Sequence, residues 1–156
     1  MLEDLQQLYQ EVILDHGRSP RNFRRPDHPS FVAHGHNPMC GDTLTVFLDV
    51  DAERTITDAA FIGKGCAISM ASASLMTEVL RGKSPAAADE LFEAFHRMCT
   101  EDDAAMSDVA GIDGEEAERL EVLAGVRQFP IRVKCATLAW HAMHAALHGT
   151  GETSTE

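Results

Sequence analysis

A chain of 156 residues suits one compact domain, and 44% apolar with 24% charged content suits a soluble globular core. The net charge of −12 excludes the basic footprint of a nucleic-acid binder and opposes an anionic membrane surface. No stretch approaches the ~20 apolar residues of a membrane span, and Met1-Leu2-Glu3-Asp4 lacks the basic, then apolar, start of a secretory signal. The expectation is a cytoplasmic protein, in which four cysteines serve metal binding or catalysis rather than disulfides.

In chain order, Leu2, Leu5, Tyr9, Val12 and Ile13 recur at three- and four-residue steps, which predicts an amphipathic helix to Asp15. His16-Gly17 is expected to end it, with glycine as a left-handed cap. Arg18 to Ser30 holds Pro20, Pro26 and Pro29 and reads as an extended loop with solvated arginines. Phe31 to Met39 is ambiguous and fits an edge strand. Leu44, Val46, Leu48 and Val50 alternate with Thr45, Phe47 and Asp49, a strand pattern. Asp51 to Arg54 turns the chain, and Thr55 to Ile62 returns as the second arm of a hairpin.

Ala67 to Arg81 reads as a helix closed by Gly82. Ser84 caps the next helix, with Pro85 in its first turn and Leu91, Phe92, Phe95, Met98 and Cys99 inward. Glu101 to Gly111 reads as a loop, and its acids with Glu115-Glu116 as a solvated face. Asp113 and Glu116 form a capping box for a short helix to about Ala124. Phe129-Pro130 interrupts, and Cys135 to Leu147 is the last helix. The domain is expected to span residues 1–148, with a disordered polar tail at 149–156.

The chemistry gathers around Met39-Cys40-Gly41-Asp42, where glycine lets a thiol and a carboxylate turn toward one point. Cys40 and Asp42 precede one arm of the hairpin and Cys66 follows the other, so antiparallel pairing brings them side by side. Cys66 and Cys135 are both expected at helix N-termini, where the dipole favours a thiolate. Lys64, Arg132 and Lys134 flank them and are expected to favour the thiolate further. Three thiolates and a carboxylate suit tetrahedral zinc, and the harder carboxylate points to an exchangeable rather than a purely structural site. Cys99, on an apolar stripe, reads as a small core hydrophobe. His141, His144 and His148 share one helix face, and His34 or His36 could replace Asp42 as a ligand. Single-helix spacing is more often an exposed or core-edge use of histidine.

At Cys40-Gly41-Asp42, Gly65-Cys66-Ala67-Ile68-Ser69 and Lys134-Cys135-Ala136-Thr137-Leu138, the chain resembles the IscU/NifU-N superfamily of iron–sulfur cluster assembly proteins. Within it the SufU branch is the nearer likeness. Lys134 rather than histidine precedes the last cysteine. Phe129-Pro130-Ile131-Arg132-Val133-Lys134 stands where a Leu-Pro-Pro-Val-Lys chaperone motif would be, and the segment from Cys66 to Cys135 is longer. The resemblance implies a SufE/IscU-like α+β fold, a small antiparallel sheet of about three strands with helices on one face. It implies a sulfurtransferase that takes persulfide sulfur on Cys40 from a SufS-like, pyridoxal-phosphate-dependent cysteine desulfurase. Cys40, Asp42, Cys66 and Cys135 would hold zinc, and the sulfur would pass to a downstream cluster scaffold of the Suf system. The alternative is a scaffold building an iron–sulfur cluster on the same thiolates.

Overall fold

The computed structural model describes residues 2–101, 106, 112–149 and 151–154. The elements are α1 (Leu2–Arg18), β1 (Phe31–Asn37), β2 (Asp42–Val50), β3 (Ile56–Lys64), α2 (Ala67–Leu80), α3 (Pro85–Thr100), α4 (Gly114–Glu121), α5 (Pro130–Leu147) and β4 (Glu152–Ser154). The sheet order is β3-β2-β1-β4. β2 pairs antiparallel with both β1 and β3, in the predicted hairpin.

The expected sheet of about three antiparallel strands is corrected by β4, which pairs parallel with β1 and makes the sheet four-stranded and mixed. β4 comes from the segment read as a tail. It is three polar residues long, too short to show a period, and it is held by backbone bonds such as His34 N–H to Gly151 O at 2.8 Å. β1 therefore lies inside the sheet, not at its edge.

Along β2, Leu44, Val46 and Leu48 are buried in the core. α2 and α5 pack on this face. β1 presents Ala33, Gly35 and Asn37 to it while His34 and His36 are exposed on the other. Phe95 of α3 stacks on Trp140 of α5 with ring centroids 4.4 Å apart. The Trp140 indole N–H donates to Ser72 Oγ at 3.2 Å, which donates to the Ala136 carbonyl at 2.5 Å, so the polar groups between α2 and α5 are satisfied. Cys99 is fully buried, as expected, and burial pushes its thiol pKa up to about 12.

Two helix boundaries differ from expectation. α1 runs through Gly17 to Arg18. A Cβ on Gly17 would sit 3.2 Å from the Ala67 backbone, so this glycine serves close helix approach rather than a cap. The neighbouring His16 is buried and its Nδ1 meets Ser74 Oγ at 2.7 Å. Pro130 does not interrupt but opens α5, because proline lacks only an N–H that the first turn leaves unpaired. Cys135 thus lies in the second turn of α5, not at its N-terminus.

The arginines of the 18–30 segment are exposed or half-exposed, as expected, but three of them also have partners. Arg21 pairs with Asp15 at 2.6 Å, Arg24 pairs with Asp58, and Arg25 lies over the Phe47 ring at 5.5 Å. Most of the 101–111 loop lies outside the described residues. The capping box of α4 is present, and Glu116 also pairs with Lys83 at 2.9 Å. Asp113→Ala should cost about 1 kcal/mol, read as a lower urea midpoint with an unchanged slope.

Candidate metal centre

The turn between β1 and β2 builds the centre of the site. Gly41 has φ of +72°, a left-handed conformation that side-chain-bearing residues resist, and it reverses the chain between Cys40 and Asp42. Ligand atoms of Cys40, Asp42 and Cys135 all lie within 4.8 Å of one another. The Cys135 thiol approaches Cys40 Sγ at 3.4 Å. Asp42 is 1% exposed and Cys135 2%, whereas Cys40 is exposed.

Asp42 is held by three donors. The Cys66 amide donates to Oδ1 at 3.1 Å, Ser69 Oγ donates to Oδ2 at 2.8 Å, and Asn37 Nδ2 donates to Oδ2 at 3.3 Å. A Cβ on Gly65 would stand 2.8 Å from Asp42 Oδ1, so only glycine leaves room for the carboxylate. Cys66 is the N-cap of α2, as predicted, and its Sγ accepts the Ser69 amide at 3.5 Å. Its own thiol is exposed and stands outside the tight set of three, but it is close enough to act on Cys135.

The electrostatics differ from the expected easy thiolate at Cys135. Burial, first, and then the neighbouring Cys40, Cys66 and Asp42 push this thiol pKa up. The flanking cations do not offset this: Arg132 is exposed and lies over the Phe129 ring at 4.4 Å, and Lys64 is exposed at the end of β3. Lys134 is only partly buried. Several acidic groups packed together ionise jointly only with a cation among them. The donor set fits zinc. Sulfurs around tetrahedral zinc stand ~3.8 Å apart, from Zn–S bonds of ~2.3 Å, and the 3.4 Å between Cys40 and Cys135 is near that spacing.

The histidine substitutes for Asp42 are corrected by strand alternation. His34 and His36 are exposed, and His34 Nδ1 meets Thr45 Oγ1 at 2.8 Å. Asn37, buried on the core face, enters the site instead, with Nδ2 3.7 Å from Cys135 Sγ. Sequence reasoning gave no role to Asn37 or Ser69. The period of β1 was the available signal for Asn37, and the place of Ser69 three residues after an N-cap was the signal for Ser69.

An α+β domain with this cysteine–aspartate turn facing a cysteine helix cap defines an iron–sulfur assembly fold, and the NifU-like N-terminal domain family matches residues 8–109. The chain belongs to that family. It is 39% identical over 140 residues to the zinc-dependent sulfurtransferase SufU of Bacillus subtilis, covering 90% of this chain and 89% of that one. It is 38% identical over 149 residues to the iron–sulfur cluster assembly scaffold protein IscU of Streptococcus pyogenes, covering 94% and 86%. The solved structure of a NifU-like protein from Brucella abortus shares the fold, with a TM-score of 0.75 at 24% identity over 91% and 93% of the chains. Among the described residues no helix is long and apolar enough to cross a membrane.

Proposed function

We propose that this chain is a zinc-dependent sulfurtransferase that accepts persulfide sulfur on Cys40 from a cysteine desulfurase and passes it on for iron–sulfur cluster assembly. The observation that carries this is the asymmetry of the site. Cys40 is exposed on a turn and its only hydrogen-bond partner among the described residues is another thiol, Cys135, which is buried. Cys66 is exposed too, but its sulfur is engaged by the Ser69 amide at a helix start.

Cys40, Asp42 and Cys135, with Cys66 beside them, would hold zinc, which when bound keeps its thiolates deprotonated. In the transfer, the Cys40 thiolate attacks the outer sulfur of the partner's persulfide. The partner's S–S bond breaks and its electron pair leaves with the partner cysteine as thiolate. Cys40 ends as the persulfide, with no net oxidation. Exposed Met39, Phe129 and Ile131 offer apolar surface for a docking partner. Pyridoxal phosphate belongs to that desulfurase, the sulfur passes to a Suf-type scaffold, and the chemistry belongs in the cytosol, where thiols stay reduced.

Incubation with a cysteine desulfurase and cysteine, followed by peptide mass spectrometry, should find one added sulfur on Cys40. Sulfur on Cys66 or Cys135 alone, or on none, overturns the reading. The likeness to IscU supports the scaffold reading, since thiolates also hold iron. Anaerobic purification separates the two: a colourless zinc protein supports transfer, a brown one supports the scaffold.

A further inference from the structure

A second cluster of metal-ligating atoms lies on the histidine stripe of α5. Ligand atoms of Asp89, His144 and His148 all stand within 4.8 Å of one another. Asp89 Oδ1 is 3.2 Å from His148 Nε2 and 3.8 Å from His144 Nδ1. His144 lies in the last turn of α5 and His148 is its C-cap four residues on, with their ring centroids 4.3 Å apart. Asp89 comes to them from α3, across the α3–α5 contact.

The spacing fits a small cation. With metal–nitrogen and metal–oxygen bonds of ~2.0–2.2 Å, tetrahedral ligands stand ~3.3–3.6 Å apart. The two distances above bracket that range. His144 Nδ1 is buried, and among the described residues no hydrogen-bond partner reaches it, with Asp89 Oδ1 at 3.8 Å beyond that reach. Its ring is fixed by stacking on Phe92, with centroids 4.7 Å apart. An unpaired buried nitrogen costs free energy unless something accepts its lone pair or takes its proton. The side chains of Asp89, His144 and His148 are 35%, 37% and 52% exposed, so an ion can enter from solvent.

We propose that Asp89, His144 and His148 form a second metal site, for a divalent transition-metal ion of zinc-like softness. Two imidazoles and one carboxylate suit such an ion, not calcium or magnesium, which take oxygen ligands. Three protein ligands leave at least one position for water. The site shares no ligand with the cysteine centre. The α5 rise puts His144 about 14 Å and His148 about 20 Å along the axis from Cys135. The assignment stands whether or not the cysteine centre holds zinc.

The test is zinc titration of the untagged chain by calorimetry, before and after alkylation of the accessible thiols. Wild-type protein should show an alkylation-resistant equivalent of zinc. His148→Ala and Asp89→Asn should each weaken that equivalent beyond the about 10–100-fold cost of losing an outer-shell partner. Both variants should keep the wild-type circular dichroism, since both side chains lie partly in solvent. Absence of an alkylation-resistant equivalent, or its survival at unchanged affinity in both variants, overturns the proposal. Loss of the alkylation-sensitive equivalent alone bears on the cysteine centre and leaves this site standing.

Discussion

Asp42→Ala should destabilise the metal-free protein by about 3 kcal/mol and remove zinc from the cysteine centre. The carboxylate is 1% exposed and accepts from the Cys66 amide, Ser69 Oγ and Asn37 Nδ2. Each buried donor left without a partner costs about 1–3 kcal/mol. Ser69 Oγ offsets part of this by turning to the Cys135 carbonyl, 3.2 Å away. Denaturation in the presence of a chelator reads the structural loss without the contribution of bound metal. Metal analysis after gel filtration reads the ligand loss. Asp42→Asn should fall between, because the amide keeps one acceptor oxygen but turns a donor toward other donors. Full zinc retention in Asp42→Ala would remove Asp42 from the ligand set.

Cys40→Ser should lower sulfur acceptance by about 10³-fold or more, the scale on which losing a nucleophile acts, and weaken zinc binding, with the stability of the metal-free protein changed little. Cys40 is exposed, and its thiol has a hydrogen bond only with Cys135 among the described residues. A serine hydroxyl fits the same turn, because Gly41 sets the backbone there. The pairing of measurements decides the matter. Lost transfer with a kept fold supports an acceptor cysteine. Collapse of the fold supports a structural metal site in a noncatalytic module. Cys135→Ser also removes a proposed zinc ligand, but at a buried position, so it should lower the stability of the metal-free protein as well.

Much of the site was legible before any coordinates. Strand alternation in β2 and the return of β3 placed Cys40 and Asp42 beside Cys66, and the register pairs Thr43 with Lys64. The N-cap position of Cys66 follows from the helical pattern that begins at Ala67. The structure brings Cys135 beside Cys40 and Asp42, but from the second turn of α5 rather than from its start. A proline after an aromatic residue looks like a break in sequence, and is equally a helix start.

The sequence by itself determined most of the local elements, the hairpin and the candidate ligand residues, because backbone periodicity and glycine or proline chemistry act over a few residues. Tertiary structure alone decided which atoms surround Asp42, where β4 pairs, and that Asp89 of α3 meets His144 and His148 at the end of α5. Those contacts join segments far apart in the chain. No periodicity encodes them, since they arise only when helices and sheet pack to bury a common core.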